Sequence, residues 1–479
     1  MHASSDQMAS HQPILTVLHQ SQVSPPPATI GNASLPLTSF DILFLLRPPI
    51  HHVFFYELSP ITKHDFIETI VPKLKHSLSI TLQHFFPFAG NLIVYRASTT
   101  SATEPQIRYV EGEDSVEVTC AECNLDFKDL TGNHPRNCDK FHHLIPPLGD
   151  YSKLLVSDDY IIKIPVFSLQ ITLFPDHGFS LGMTSHHCLG DASTHFCFLE
   201  AWTTIARCGD TDNKLFLRLP IYERVVHNYP ELDERFSKGA KVETLFNGGY
   251  QPPDLSSSAK NKVRGTFVLP RTIIDQMKKK VWTQEPRIPY VSSVTVTCAY
   301  LWRCIAKSRE DELELFAILI DCKTRLADKP IPEAYFGNCI LGSFTLAKTT
   351  LLTGDDGFIN AARLLGENLH NMLTDKDGIV AHRIRMMEDN SSAGRMMPTT
   401  IIGVSGSPKL KFYDLDFGWG KPKKQEIVSL DYDGSISIDT CKDSDHDLEI
   451  GVCLTTTEMQ TFVRTFNQGL QHYRSLVRT

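Results

Sequence analysis

Apolar residues that alternate with more polar ones over residues 166–184 are the feature that most constrains the fold of this chain. In residues 166–174 and again in 179–184, apolar side chains occupy every second position, which is typical of strands with one face in the core. The segment between them, residues 175–178, is a Pro-Asp-His-Gly turn sequence. After Gly190 the apolar spacing becomes three or four residues. The pattern predicts a β-hairpin followed by a helix.

A histidine and a carboxylate stand where the predicted strand meets this helix. If the strand continues, His187 lies on its interior side and the neighbouring His186 points the other way. Asp191 then stands at the helix start, where it can cap free backbone N–H groups. Three interpretations follow: a core histidine beside a helix cap, a metal site, or a general base with a supporting carboxylate.

The metal interpretation depends on spacing. His187, Asp191 and His195 recur at four-residue steps. Cys120 and Cys123 form a Cys-x-x-Cys pair elsewhere, but no second pair completes a four-thiolate site. The strand and the glycine before Asp191 argue against one continuous helix, so the three side chains need not share a face. We therefore expect no metal.

The composition fits an enzyme with two ordinary cores. A chain of 479 residues with 42% hydrophobic content suggests two domains. The 47 basic and 55 acidic residues give a net charge of −8, which disfavours a nucleic-acid binder. The 12 scattered cysteines are typical of free thiols in a reducing compartment. Because the sequence shows no secretory signal and no apolar run long enough for a membrane span, we expect a cytosolic protein.

Two further segments indicate how the chain is organised. Apolar residues at helical spacing predict a helix over residues 66–82, with Thr62 as its cap and Pro72 as a kink. Residues 210–258 are polar and contain glycines and prolines, which indicates a long connection. We interpret this connection as the crossover between two domains.

A second motif lies more than two hundred residues downstream of the first. Residues 416–422 are Asp-Phe-Gly-Trp-Gly-Lys-Pro, and His-x-x-x-Asp followed at this distance by Asp-Phe-Gly-Trp-Gly resembles the plant BAHD acyltransferases. Residues 335–339, Tyr-Phe-Gly-Asn-Cys, resemble a motif of the branch that acylates anthocyanins and other flavonoid glycosides. The likeness extends through residues 86–91, 262–267 and 406–409 and covers nearly the whole chain.

The resemblance implies an α/β (α+β) fold of two similar chloramphenicol-acetyltransferase-like domains, with a central solvent channel between them. We predict an N-terminal domain over residues 1–215 that carries His187, a crossover linker over 216–245 and a C-terminal domain over 246–479. The resemblance also implies that residues 416–435 cross back to complete the sheet of the first domain.

It further implies transfer of an acyl group from coenzyme A to a hydroxyl, with His187 as the general base that later returns the proton to the thiolate. Cys188 is a poor alternative nucleophile, because adjacent strand residues point to opposite faces. In the family the motif carboxylate, here Asp191, is held by an arginine and shapes the site. Lys323 stands where related chains have that arginine, so we expect either Lys323 or Arg325 to pair with Asp191.

Asp416 has two open interpretations. Its carboxylate ties together a turn that holds Gly418, Trp419 and Gly420, or it acts as a second acid/base group. Under either interpretation we expect its loss to damage activity. Asn338, in the Tyr-Phe-Gly-Asn-Cys segment, is the remaining residue expected to support the site.

Coenzyme A needs contacts for its phosphates, and a malonyl tail needs a cation. Lys262 and Arg264 flank the start of a predicted strand, and Ser293 opens a predicted helix whose N-terminus can receive phosphate oxygens. A solvated basic pair and an ordinary helix cap are the alternatives for these residues. Arg136, in a segment that resembles malonyl-using relatives, is the expected partner of a malonyl carboxylate.

The predicted function is a CoA-dependent O-acyltransferase that moves malonyl from malonyl-CoA to a sugar hydroxyl of a flavonoid, anthocyanin or other phenolic glucoside by direct transfer. A hydroxycinnamoyl-CoA donor is the alternative within the family. A metal-dependent hydrolase and a non-catalytic protein that binds a phenolic or CoA ligand are the alternatives of other classes. We expect no bound cofactor, acyl-CoA as a co-substrate, a monomer, and neither a nucleic-acid nor a membrane partner.

Overall fold

A computed structural model describes the following residues: 13–95, 104–149, 155–156, 161–209, 217–224, 232, 241, 243–245, 260–326, 331–392, 401–432 and 434–477. The predicted linker, residues 216–245, lies mostly outside these residues. The predicted domain boundaries at residues 215 and 246 therefore stay predictions. Among the helices of the described ranges, none has an apolar stretch long enough to cross a lipid bilayer.

Strands and helices are numbered here in chain order. The strands are β1 (Leu15–Val23), β2 (Ala33–Pro36), β3 (Ile50–Glu57), β4 (Asn91–Tyr95), β5 (Gln106–Tyr109), β6 (Val116–Cys123), β7 (Arg136–Asn137), β8 (Leu155–Val156), β9 (Ile161–Pro165), β10 (Phe167–Phe174), β11 (Gly178–Ser185), β12 (Lys262–Leu269), β13 (Leu313–Asp321), β14 (Ile340–Lys348), β15 (Ile401–Ser405), β16 (Lys424–Ile427), β17 (Ile436–Cys441) and β18 (Ser444–Thr455). The helices are α1 (Ser39–Ile42), α2 (Lys63–Asp65), α3 (Val71–His84), α4 (Phe127–Thr131), α5 (Asp139–His142), α6 (Ala192–Cys208), α7 (Arg271–Gln284), α8 (Ser293–Ala306), α9 (Thr349–Thr353), α10 (Gly357–Leu373), α11 (Gly378–Ser392) and α12 (Thr456–Val477).

The strands around the His-x-x-x-Asp motif form a six-stranded sheet in the order β1-β6-β10-β11-β3-β16. β10 and β11 are antiparallel, with Leu169 opposite Met183, which confirms the predicted hairpin. β3 pairs with β11, and β16, from the chain after Asp416, pairs in turn with β3. A strand from late in the sequence is therefore the last strand of the sheet that precedes His187.

A seven-stranded sheet, β14-β13-β15-β17-β18-β12-β7, is formed by later residues with one exception. The exception is β7, which pairs with β12 through Arg136 and Arg264. The two large sheets thus exchange strands, since β16 joins the first and β7 joins the second. A five-stranded sheet, β2-β5-β4-β9-β8, lies in the first half of the chain.

Two large apolar cores accompany these sheets. The first is formed by residues of the first half of the chain and is completed by Phe412, Leu415 and Phe417, among others. The second is formed almost entirely by residues after position 260 and takes in Phe40 from the N-terminal region. The two cores agree with the estimate from chain length.

The helix predicted over residues 66–82 changes type along its length. Thr62 caps it as predicted, because its Oγ1 accepts the backbone N–H of Asp65 at 3.1 Å. Residues Phe66–Ile70 form a π-helical turn, and Pro72 then stands in the first turn of α3. The π-helical turn directly precedes Pro72, whose ring lacks the N–H for an i→i−4 hydrogen bond, and the helix continues beyond this proline to His84.

Candidate active site

A cavity of about 1290 Å³ is lined by residues of both halves of the molecule. His187 and Asp191 follow β11 of the six-stranded sheet. Phe344 lies on β14 of the seven-stranded sheet, and Lys323 lies in the loop after β13 of that sheet. Ordinary small-molecule pockets hold about 300–1,000 Å³. The cavity therefore has room for two substrates at once.

His187 reaches this cavity from a turn and not from a strand. β11 ends at Ser185, and His187 begins a 3₁₀ turn that ends at Leu189. The strand therefore does not continue to His187, because the chain turns two residues earlier. The imidazole still faces the cavity, and the phenyl ring of Phe44 stacks on it with centroids 4.0 Å apart.

Burial determines the protonation state of His187. Loss of hydration lowers its pKa to about 3, and the nearby charges of His195 and Arg47 act in the same direction. The ring is therefore neutral at pH 7 and can accept a proton. Burial also raises the pKa of Cys188 well above its usual value, so that thiol stays protonated.

Asp191 is a buried helix cap and also half of an ion pair. Its Oδ1 accepts the backbone N–H groups of Ser193 and Thr194 at 3.1 and 3.2 Å. Its Oδ2 lies 3.2 Å from Lys323 Nζ and accepts the backbone N–H of Cys339 at 3.2 Å. Burial alone raises the pKa of this carboxyl, but Lys323 and the hydrogen bonds outweigh burial and lower it.

Lys323, and not Arg325, is the partner of Asp191. The Lys323 ammonium also donates to Ser193 Oγ at 2.6 Å, so one side chain bridges the start of α6 and the loop after β13. Arg325 is exposed and donates instead to the backbone carbonyl of Asp321. The ion pair of Asp191 with Lys323 therefore links the start of α6 to the loop after β13.

Asn338 acts on the histidine turn through the backbone. Its side-chain amide donates to the carbonyl oxygen of His187 at 3.1 Å and to Asp41 Oδ1 at 3.0 Å. Asp41 is fully buried and also accepts the backbone N–H of Asn338 at 2.8 Å and the Thr38 hydroxyl at 2.9 Å. Sequence reasoning missed Asp41. The available signal was a carboxylate within the apolar segment 40–46, where burial requires several donors.

A serine and a second histidine were also missed as site residues. Ser185 Oγ lies 2.8 Å from His195 Nε2, and His195 Nδ1 lies 3.0 Å from the carbonyl oxygen of Asp191. A carbonyl only accepts, so Nδ1 carries the proton and the serine hydroxyl donates to Nε2. Both side chains line the cavity.

These hydrogen bonds also bear on the metal interpretation. His195 uses both ring nitrogens within the protein, and Asp191 is committed to Lys323 and the helix start, so the three spaced residues do not converge on one point. Within the described ranges, Cys138, Asp431 and Cys453 bring their ligand atoms within 4.8 Å of one another. Arg264 donates to Asp431 at 3.1 Å there, and its charge disfavours a metal cation.

Asp416 does not line the cavity that contains His187. Its Oδ1 accepts the backbone N–H groups of Gly418 and Gly420 at 2.7 and 2.9 Å, and both glycines have positive φ. Trp419, between them, packs edge-on against Phe179 of β11, with ring centroids 5.8 Å apart. This geometry favours the turn interpretation of Asp416 over the acid/base one.

Two of the predicted CoA and acyl contacts are buried away from the cavity. Arg136 lies 2.8 Å from Glu426, and Arg264 lies 3.3 Å from Glu426 and 3.1 Å from Asp431. Neither arginine lines the cavity. Their predicted contacts with the malonyl carboxylate and the CoA phosphates are therefore wrong, because β7 and β16 bring acidic partners to them inside the protein.

Lys262 and Ser293 are more accessible than the two buried arginines. Lys262 lines the cavity and donates to the backbone carbonyl of Asp431 at 2.8 Å. Ser293 is partly exposed at the first position of α8, and the cap itself is Ser292, whose Oγ accepts the Thr295 N–H at 3.0 Å. Phosphate binding by Lys262 and Ser293 stays a prediction.

A family model described as the Transferase family matches residues 14–468, which is nearly the whole chain. The chain belongs to this family, the BAHD acyltransferases. Among BAHD relatives, the malonyl-coenzyme A:anthocyanin 3-O-glucoside-6''-O-malonyltransferase of Dahlia pinnata is 48% identical and is matched over 96% of this chain and 98% of its own length. The coumaroyl-CoA:anthocyanidin 3-O-glucoside-6''-O-coumaroyltransferase 1 of Arabidopsis thaliana is 31% identical, with 97% and 100% covered.

Among solved structures, vinorine synthase is similar to this BAHD chain with a TM-score of 0.65 and 19% sequence identity, over 93% of this chain and 96% of that one. At this identity the likeness concerns the fold. It confirms the predicted α/β fold of two chloramphenicol-acetyltransferase-like domains. Family membership makes the chain an acyl-CoA-dependent acyltransferase, and the metal-dependent hydrolase and the non-catalytic binding protein receive no support.

Proposed function

We propose that this BAHD enzyme transfers a malonyl group from malonyl-CoA to a sugar hydroxyl of an anthocyanin, a flavonoid or another phenolic glucoside. The observation that carries the proposal is the imidazole of His187 on a cavity of about 1290 Å³, which has room for a thioester and a glycoside together. The 48% identical Dahlia protein, a named malonyltransferase, supports the donor and the acceptor class.

In this proposal His187 is the general base and no acyl-enzyme forms. The acceptor hydroxyl gives its proton to the imidazole while its oxygen bonds to the thioester carbon. The C–S bond then breaks, and the CoA thiolate takes the proton back from the imidazolium, so an ester and a thiol leave. Burial lowers the pKa of His187 and keeps the resting ring neutral, and an imidazolium is a stronger acid than a thiol, so the proton passes to the thiolate.

The surrounding residues position this base. Phe44 holds the plane of the His187 ring by stacking, and Asn338 holds the backbone of the same turn through the His187 carbonyl. Asp191 is turned toward Lys323, so its carboxylate shapes the site without accepting a proton from substrate. A base held in this way loses little entropy on reaching the reactive geometry.

An aromatic donor is the second candidate, and a specific surface favours it. Several apolar side chains line the cavity on the side of the seven-stranded sheet: Val294, Ala317, Leu319, Phe344 and Ile401. Leu319 and Val294 are 43% and 37% exposed, so this part of the lining presents apolar surface to the cavity. A coumaroyl group would bury such a surface, and the 31% identical Arabidopsis relative is a named coumaroyltransferase.

The two candidates are separated by one assay. Purified enzyme is given an anthocyanin 3-glucoside with malonyl-CoA or coumaroyl-CoA, thiol release is followed, and the product is identified by mass spectrometry. We expect acceptor-dependent CoA release and a monomalonylated glucoside, with the higher kcat/KM for malonyl-CoA. A higher kcat/KM for coumaroyl-CoA would select the second candidate, and no acylated glycoside with either donor would refute both.

A further inference from the structure

A malonyl donor carries a carboxylate into the cavity, and a carboxylate taken out of water needs a cation or several hydrogen-bond donors. Arg136, the cation expected from the sequence, is paired with Glu426 inside the protein and does not line the cavity. Recognition of the donor carboxylate therefore requires a different residue.

The chemistry of the donor limits where that residue can be. In malonyl-CoA a single methylene separates the carboxylate from the thioester carbon. During transfer this carbon lies against the acceptor oxygen, and that oxygen is hydrogen-bonded to the base. The carboxylate therefore lies close to the His187 ring, so a cation that stands beside a residue in contact with this ring is placed to bind it.

Arg47 fulfils this condition. The ring of Phe44 stacks on His187, and Arg47 follows one turn later, with its backbone N–H donating to the Phe44 carbonyl at 3.1 Å. The Arg47 side chain is exposed and lines the same cavity as His187. Its charge is near enough to lower the pKa of His187, as the field of a neighbouring cation does.

Other cations that line the cavity stand on other segments of the chain: Arg218, Lys262, Arg309, Lys323, Arg325, Lys409 and Lys411. Lys323, the one beside Asp191, is needed there to balance a buried carboxylate.

We propose that Arg47 binds the terminal carboxylate of a dicarboxylic acyl donor and thereby selects malonyl-CoA over neutral short-chain thioesters. The proposal rests on the proposed function for its choice of donor. The planar guanidinium can take both oxygens of a carboxylate at once, which places the adjacent thioester carbon as well as binding the charge.

The test is donor binding, measured by calorimetry without an acceptor. The donors are malonyl-CoA and acetyl-CoA, which has the same thioester but no carboxylate. We expect the wild type to prefer malonyl-CoA, and Arg47→Met to weaken malonyl-CoA binding about 10- to 100-fold while acetyl-CoA binding changes little, as expected for a lost hydrogen bond to a charged group. Arg47→Lys keeps the charge and should recover part of the preference.

Arg325→Met is the matched control, because Arg325 is also an exposed arginine that lines the cavity. It should leave the ratio of malonyl-CoA to acetyl-CoA affinity as in the wild type. An equal loss for both donors in Arg47→Met, or an unchanged ratio, would overturn the proposal.

Binding without an acceptor also separates this proposal from the proposed function. If the enzyme transfers only coumaroyl groups, the proposed donor is wrong, whereas a malonyl-CoA preference that disappears in Arg47→Met still supports the role of Arg47. A wild type that binds malonyl-CoA no better than acetyl-CoA would overturn the role of Arg47 even if malonyl transfer occurs.

Discussion

Asp191 is a buried carboxylate whose charge is balanced by one lysine, Lys323. Its pKa is held below the usual value despite burial, so the folded state binds the ionised form better than the unfolded state does. This contribution to stability is present at neutral pH and is lost as the pH falls through the pKa of the folded state. It depends on Lys323, since burial alone would favour the protonated form.

Lys323→Met should therefore destabilise the protein at neutral pH by about 3–5 kcal/mol, as expected when one partner of a buried ion pair is removed. In this variant burial raises the Asp191 pKa, so the loss should become smaller as the carboxyl is protonated in acid. Urea unfolding near neutrality and near pH 4 measures both effects.

Lys421→Met is the matched control, because Lys421 pairs with Asp414 at 2.7 Å on the surface, where the two side chains are 63% and 50% exposed. Its loss should cost less than about 1 kcal/mol. Equal losses for the two lysine variants, or a Lys323→Met loss that grows on acidification, would contradict the buried-pair account.

At the residue scale, local pattern predicted His187 and Asp191 because both belong to one strand-turn-helix segment. It could not choose between Lys323 and Arg325, since that choice depends on which side chain reaches across to α6. The role of Asp41 could not be predicted from the sequence, for a related reason. Its partner Asn338 is 297 residues away in sequence, and a single chain carries no signal for such a pairing.

At the element scale, the hairpin and the helix after it were predictable because their periodicity is local. The end of β11 was not, because it depends on pairing with β3 and on the 3₁₀ turn that follows. The loop around Asp416 was predictable as a turn, since its glycines need positive φ and its carboxylate can accept their N–H groups.

At the scale of the whole molecule, a buried ionic cluster lies where the two large sheets exchange strands. Arg136 on β7 and Arg264 on β12 meet Glu426 on β16, and Arg264 also meets Asp431 just beyond it. Both arginines were predicted to bind ligands because a basic residue at a strand start gives no sign of an acidic partner far along the chain. The exchange of β7 and β16 brings those partners together.

Arg264→Met should therefore lower the free energy of unfolding by about 3–5 kcal/mol, since buried Asp431 loses its guanidinium partner and buried Glu426 keeps only one of its two arginines. The KM for acyl-CoA of the folded variant should stay near that of the wild type, because Arg264 does not line the cavity. Lys262→Met, at a cavity-lining position on the same strand, is the comparison for KM. A raised KM with unchanged stability in Arg264→Met would restore its predicted contact with CoA.

In the proposed mechanism His187 alone accepts the proton of the acceptor hydroxyl. Acceptor-dependent CoA release by wild type and His187→Ala, with folding of both checked by circular dichroism, tests it most directly. We predict a loss of at least about 100-fold in the variant, as expected for a missing general base. His186→Asn is the control, because His186 does not line the cavity and asparagine can still accept the Cys188 N–H. Turnover near the wild-type rate in a folded His187→Ala enzyme would contradict the account.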